Sequence, residues 1–342
     1  DLLAAYVAGF ETECRIGRAV NFHHYEKGWH ATATLGVFGA TAACAHLLRL
    51  DAPCTATALA AAASFSAGVK ANLGTMMKPL QVGQAARHGL EAALLAREGY
   101  SANTDAFEHK QGWLNLFNGP GTFDLSRALD GWGAPWEVVM PGIAIKQYPC
   151  CLSLQSALDA MIGLATTRDI RAGEVERIES FTHPRRLEHT NRPAPRSTLD
   201  AKLSIQYCLA RGILERRVGL DHFEGEAHLD PAVRAMMARV HAQTYAEDSV
   251  GEGEDFTARL RVTLTGGRVH EPSIPRPVGH EPGVPLAADA LDRKFAACAR
   301  TVLTAEAAET VRAMVRRLES LDSLQALSAL LAGRQPTDAP AC

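Results

Sequence analysis

Phe256-Thr257-Ala258-Arg259-Leu260-Arg261-Val262-Thr263-Leu264-Thr265-Gly266-Gly267-Arg268-Val269-His270-Glu271 is the stretch on which the fold turns. Phe256, Ala258, Leu260, Val262 and Leu264 alternate with polar or charged neighbours, the period of a half-buried strand. Gly266-Gly267 then reverses the chain, so Arg268–Glu271 is expected to pair back as a hairpin. Downstream, Pro272 to Pro285 reads as a proline-rich linker. Helical periodicity follows at about Ala288–Val302, Ala305–Leu318 and Ser323–Leu331, and the tail from Gly333 reads as disordered. Upstream, Leu152–Arg168 reads as a helix, Val175–His183 as a strand, and Thr198 to about Leu214 as a helix capped by Thr198. Asp230-Pro231 starts another, because proline suits the first helical position.

The first half reads as helices: Leu2–Arg18, Thr34–Leu48, Thr55 to about Lys70 with Thr55 as cap, and Val82–Arg97 closed by Gly99. Ala, Gly and Ser dominate the second and third of these, which favours close helix packing. Asn72–Pro79 reads as a loop. Glycines and prolines from Gly119 to Gly142 make a turn-rich stretch. The order is therefore helices, a mixed block, then helices. It predicts an α+β fold: a large helical domain formed by both ends of the chain (residues 1–145 and 286–335), with a smaller α+β domain (146–285) inserted.

The chain has 342 residues, 47% of them hydrophobic, enough for one large or two moderate cores. With 35 basic against 38 acidic residues the net charge is -3, which offers no basic field for nucleic acid. No apolar run reaches the length of a membrane span. The eight cysteines show no CxxC pair and no regular spacing, which argues against a disulfide framework or a structural zinc site and suits a reducing cytoplasm. The chain opens on Asp1 rather than Met and enters helical sequence at once, so a natural N-terminal segment is expected ahead of it.

Three residues stand out as candidates for chemistry. His30 follows Gly28-Trp29 and precedes a helical stretch, a position suited to an anion and to proton transfer near neutral pH; spacing alone favours a capping or packing histidine. Lys78 sits in Met-Met-Lys-Pro-Leu between apolar helices, where a carboxylate would offset desolvation; a solvated loop lysine is the plainer alternative. Lys146 interrupts an apolar stretch near the expected domain boundary. The adjacent Cys150 and Cys151 have no evident electropositive partner in sequence and read as packing thiols. GxSxG, Walker, GxGxxG and HExxH motifs are all absent, which sets aside the common hydrolases, P-loop NTPases, Rossmann dehydrogenases and zincins.

The segments His24-Tyr25-Glu26-Lys27-Gly28-Trp29-His30-Ala31-Thr32-Ala33-Thr34-Leu35-Gly36, Gly74-Thr75-Met76-Met77-Lys78-Pro79-Leu80, Lys146-Gln147-Tyr148-Pro149-Cys150-Cys151, Leu199 to Cys208 and Lys294-Phe295-Ala296-Ala297-Cys298 resemble, in order, segments of the MmgE/PrpD family. Members of that family include 2-methylcitrate dehydratase, cis-aconitate decarboxylase and iminodisuccinate epimerase. The resemblance implies a helical domain with an inserted lid, a homodimer, a small polycarboxylate substrate, and no metal or organic cofactor. It places His30, Lys78, Lys146 and Tyr207 as catalytic residues, with Thr34, Gln81, Cys151 and Gln155 as substrate-binding neighbours. Two departures are visible: Gln81 and Gln155 stand where the family often has histidine, and glutamine cannot transfer a proton near neutral pH. The family also usually carries a helical, acidic and histidine-containing segment upstream of the position of Asp1. The implied activity is a lyase, first of all a dehydratase of a 2-methylcitrate-like hydroxy-polycarboxylate. The alternatives are an epimerase of an imino or amino dicarboxylate and a non-catalytic carboxylate-binding homologue.

Overall fold

Small residues set the packing of the N-terminal helices. In a computed structural model, which describes residues 1–245, 256–280 and 285–332, the chain begins with α1 (Leu2–Val20), α2 (His23–Glu26), α3 (Ala31–Thr34), α4 (Gly36–Leu47), α5 (Ala52–Phe65) and α6 (Met77–Arg97). α4 packs against α1, α5 and α6, and α5 also packs against α6. The approach is close because glycines face it. A Cβ on Gly9 would stand 2.5 Å from the Gly39 carbonyl oxygen, and one on Gly89 2.4 Å from the Ala40 Cβ. Val37, Phe38, Ala92, Trp113 and Leu114 fill the core of this part.

Two helix starts differ from expectation. α5 begins at Ala52, not Thr55, because the Asp51 carboxylate accepts from the Cys54 N–H and Pro53 sits in the first turn, where its missing N–H costs nothing. α6 begins at Met77, inside the expected loop, because Pro79 also falls in the first turn and is tolerated there.

After α6 come two short helices, α7 (Trp113–Phe117) and α8 (Ser126–Leu129), and the expected turn-rich stretch. α1 ties that stretch down. The Arg15 guanidinium donates to the Asp130 and Gly131 carbonyls at 2.6 and 2.5 Å. It also pairs with Glu11 at 2.8 Å and Glu137 at 3.2 Å, all three side chains being buried. Glu11 accepts the Gly133 and Glu137 N–H groups at 3.0 and 2.7 Å. Buried charges of this kind persist only when paired and hydrogen-bonded throughout.

The chain divides into two units, Asp1–Ile143 and Ala144–Cys342. The second holds the sheet. Its elements run α9 (Gln155–Thr167), β1 (Val175–Thr182), α10 (Pro184–Thr190), α11 (Thr198–Ala201), α12 (Ile205–Glu215), α13 (Pro231–Met237), β2 (Val240–Thr244), β3 (Ala258–Leu264), β4 (Val269–His270), β5 (Ser273–Ile274), α14 (Ala288–Ala299), α15 (Ala305–Val315) and α16 (Gln325–Leu331). The strand order is β2-β1-β3-β4, with β5 also on β3. β1 and β3 are antiparallel, Ile178 opposite Val262, and the hairpin read from Gly266-Gly267 is present, Val262 opposite His270. Val175, Ile178, Leu260, Val262 and Leu264 meet Leu158, Met161, Ile205, Leu209 and Ile213 in one core.

The sequence reading missed two strands and joined two helices. β2 pairs parallel with β1, Ile178 opposite Val240. β5 lies within the stretch read as linker, Ser273 opposite Arg259. The helix read from Thr198 is two, capped by Ser197 and Ser204 rather than by Thr198, because each serine hydroxyl accepts an N–H three residues on. Asp230 caps α13 as expected. α14 and α15 pack together, and the Lys294 ammonium on α14 donates to the Lys146 carbonyl at 2.8 Å. The tail from Gly333 and residues 281–284 of the linker lie outside the described residues.

The fold is α+β, and no helix among the described residues is long and apolar enough to cross a membrane.

Candidate functional site

In the first unit, a short backbone pairing builds the surroundings of His30. The His30 N–H donates to the Gly68 carbonyl at 3.1 Å, the Lys70 N–H to the Gly28 carbonyl at 2.8 Å, and Trp29 bridges Val69. Gly68 has φ +140°, and a Cβ there would stand 3.0 Å from Ala33 and 3.3 Å from the Gln81 oxygen. The position needs glycine for both reasons.

His30 itself is 4% exposed. Its Nδ1 lies 2.7 Å from the Gln81 Oε1, and the Gln81 amide nitrogen donates to the Val69 carbonyl at 3.4 Å. That second bond orients the amide with its oxygen toward the ring, so Nδ1 carries the proton and Nε2 holds the lone pair of a neutral imidazole. Burial pushes the His30 pKa below its usual value. The Gln81 bond works against this, and the nearby Lys78 ammonium works with it. The ring is thus held as a base at neutral pH.

Lys78 lies in the first turn of α6 and is exposed. Among the described residues its ammonium makes no hydrogen bond or ion pair. A cavity of about 260 Å³ lies beside Gln81, lined by Ala33, Phe65, Gly68, Met77, Gln81 and His88 among others; neither His30 nor Lys78 lines it. The His88 ring packs tilted against Phe65, 5.2 Å between ring centroids.

Thr34 is placed differently from its expected contact with substrate. It is wholly buried, its hydroxyl 2.7 Å from the His24 Nε2 and 3.4 Å from the His30 carbonyl. His24 sits among Trp29, Trp113 and Phe117. Burial drives its pKa down to about 4, so it is a neutral packing residue that props up the loop carrying His30.

In the second unit, Lys146 is half-buried and its backbone is pinned, the Ile145 N–H donating to the Gly279 carbonyl at 2.6 Å. Among the described residues the Lys146 ammonium makes no hydrogen bond or ion pair. Gln155 is buried and fully engaged: its oxygen accepts the Tyr148 N–H at 2.9 Å, and its nitrogen donates to the Tyr148 carbonyl at 3.1 Å and lies 3.3 Å from the Cys150 sulfur. The Tyr148 hydroxyl donates to Asp159, whose other oxygen accepts the Val278 N–H, each at 2.9 Å. Tyr207 is wholly buried. Its hydroxyl donates to the His222 carbonyl and accepts from the Arg211 guanidinium at 3.1 Å. Burial pushes its pKa up. Tyr207, read from the resemblance as catalytic, and Gln155, read as substrate-binding, therefore both support the residues around them.

Cys151 is half-buried, and two residues further on the Ser153 hydroxyl lies 3.2 Å from the His189 Nε2 on α10. Among the described residues no group of three or more His, Cys, Asp or Glu side chains is arranged to hold a metal.

The fold and site define a class: an α+β protein whose N-terminal helical unit holds a buried neutral histidine beside an exposed lysine. The MmgE/PrpD N-terminal domain matches residues 1–126 and the MmgE/PrpD C-terminal domain matches residues 148–320. The chain belongs to the MmgE/PrpD family. It is 27% identical over 354 residues to a cis-aconitate decarboxylase of Homo sapiens, covering 100% of this chain and 72% of that protein. With the cis-aconitate decarboxylase of Mus musculus it shares 28% over 348 residues, 99% of this chain and 69% of the relative. The cis-aconitate decarboxylase of Aspergillus terreus is 28% identical over 305 residues, 83% of this chain and 61% of the relative.

Proposed function

We propose that this protein is a lyase of small polycarboxylates, in which the His30 Nε2 takes a proton from the carbon beside a carboxylate and Lys78 binds that carboxylate. The observation that carries the reading is the His30–Gln81 bond, which leaves a neutral, buried imidazole with one free lone pair next to a cation. A lysine there stabilises the charge that develops on the carboxylate as the proton leaves. Lys146 is read as a further carboxylate-binding cation. Gln81 takes a positioning role: it fixes the tautomer of the base rather than moving a proton.

The first substrate proposed is a 2-methylcitrate-like hydroxy-tricarboxylate, dehydrated by proton removal and loss of hydroxide. The curated relatives support a second reading, decarboxylation of a cis-aconitate-like unsaturated tricarboxylate, in which a carbon–carbon bond breaks, carbon dioxide leaves, and the carbon left with the electron pair takes a proton. Incubating the full gene product with each acid separates them. Alkene growth from 2-methylcitrate without gas supports the dehydratase, carbon dioxide from cis-aconitate supports the decarboxylase, and turnover of neither acid overturns both. On the family resemblance we also read the protein as a cytoplasmic homodimer; sedimentation of the full gene product as a monomer at working concentration would remove the dimer.

A further inference from the structure

The proposed reaction leaves the cavity of about 260 Å³ beside Gln81 unused, since neither His30 nor Lys78 lines it. Ala33, Phe65, Met77 and Leu80 give the cavity an apolar side, and Gln81, Gln84 and His88 supply polar groups. It lies wholly in the first unit, between α3, the end of α5, the stretch that follows α5 and the first turns of α6. That stretch is pinned on both sides. The Ser66 hydroxyl donates to the Thr34 carbonyl and accepts from the Trp113 indole N–H, each at 2.9 Å. The Gly68 carbonyl accepts the His30 N–H at 3.1 Å. This wall is therefore set before a ligand arrives, which lowers the ordering cost of binding.

The lining selects the ligand. Among the described residues no Asp, Glu, Lys or Arg lines the cavity. A carboxylate taken out of water needs a cation, and an ammonium needs a carboxylate. The cavity supplies neither, so the polycarboxylates proposed as substrates do not fit its chemistry. What it supplies is aromatic and apolar contact. The Phe65 and His88 rings meet at 34°, and Met77 adds a thioether, which packs well beside aromatic rings. An apolar cavity of ~150 Å³ holds benzene, so about 260 Å³ takes a ring with a short substituent. Gln81 joins the cavity to the base. Its oxygen lies 2.7 Å from the His30 Nδ1, and its nitrogen donates to the Val69 carbonyl at 3.4 Å. The amide carries two N–H groups, so the second is left for a hydroxyl or carbonyl oxygen in the cavity. Such a bond keeps the amide oxygen turned toward the imidazole. Among the described residues the His88 ring and the Gln84 amide make no hydrogen bond, so both can meet the same polar group.

We propose that this cavity is a binding site for a small neutral aromatic molecule bearing one hydroxyl or carbonyl group, and that Gln81 passes its occupancy on to the His30 ring. The site is separate from the groups assigned to the reaction. Its readout is binding rather than turnover, so it stands or falls apart from the lyase reading.

The test is a titration of the full gene product with benzyl alcohol, followed by ligand-observed NMR, with benzoate as the charged counterpart. Benzyl alcohol should bind saturably with a Kd of about 1 mM, ordinary for a fragment of that size. Benzoate should bind about tenfold more weakly or less, because its charge finds no cation. Ala67→Trp, at an exposed position of the lining, should abolish binding by filling the cavity. His88→Ala leaves the cavity open and removes one polar partner, so Kd should rise about two- to tenfold. In protein labelled with nitrogen-15 histidine, the His30 Nδ1 resonance, assigned by its loss in His30→Gln, should move along the same titration curve. Four results would each overturn the proposal: no saturable binding of benzyl alcohol, benzoate binding as tightly as the alcohol, unchanged affinity in a folded Ala67→Trp or His88→Ala protein, or a His30 resonance that stays still while the site fills.

Discussion

At the scale of the residue, the chemistry rests on how His30 is held. Its burial and the Lys78 charge lower its pKa, and a lowered histidine is a base that is ready at neutral pH and is lost when acid protonates it. The predicted kcat/KM profile therefore falls on the acid side with a midpoint below 6.5, the usual histidine value. A midpoint above it would mean that another group limits the rate. Lys78→Ala removes one charge-assisted contact with a carboxylate, worth about 1.5–3 kcal/mol, so KM should rise about ten- to a hundredfold with the fold intact. Steady-state kinetics beside a melting curve check this, and an unchanged KM would take Lys78 out of the site. Neither His30 nor Lys78 declares itself by spacing; what sequence offered was their place in ordered family segments. The Gln81 contact was not legible at all, because position 81 is brought to position 30 by the pairing of residues 28–30 with 68–70. Sequence treats Gln81 as a lost histidine, whereas the geometry gives it a task that glutamine performs.

At the scale of the element, α1 and α4 carry the strongest consequences. The Glu11–Arg15–Glu137 group holds the turn-rich stretch against α1. Burial would raise the Glu11 pKa, but the Glu137 and Gly133 N–H groups and Arg15 lower it. A carboxylate with a depressed folded pKa adds stability above its unfolded value, about 4.5, and loses it as pH falls through the folded value. Resistance to chemical denaturation should accordingly fall below about pH 4.5, and Arg15→Met, which leaves Glu11 buried without a cation while Glu137 keeps Arg18, should cost about 3 kcal/mol at neutral pH. A neutral-pH loss under a kilocalorie would show that the network is not needed. Gly89→Ala should lower stability by about 1–3 kcal/mol, because its Cβ would meet Ala40 and α4 and α6 must part. A melting temperature equal to wild type would contradict the close packing. The Ala/Gly/Ser bias made that packing readable in advance. The cap positions were less readable, since Asp51, Ser197 and Ser204 compete with equally plausible neighbours, and only backbone geometry selects among them. β2 escaped because Val-His-Ala-Gln-Thr alternates weakly and its partner is found across a long crossover that sequence cannot join.

At the scale of the whole molecule, two units share one chain, and the α+β class followed from one hairpin set between helical stretches. That class was legible because a period of two and a glycine pair are local signals. The grouping of the last helices with residues 1–145 was an inference of a different kind, and it stands as a proposal; the contacts of α14 run to α15 and to the Lys146 carbonyl. The family is shown by its matched domains, while the choice between dehydration and decarboxylation belongs to the substrate. Both routes place charge beside a carboxylate, the task proposed above for His30 and Lys78. The most direct measurement is therefore turnover of whichever tricarboxylate the full gene product accepts, compared between wild type and His30→Gln. The account predicts a fall in kcat of about a hundred- to ten-thousandfold, the share of a general base, with the melting temperature held. A His30→Gln enzyme that keeps wild-type kcat would contradict it.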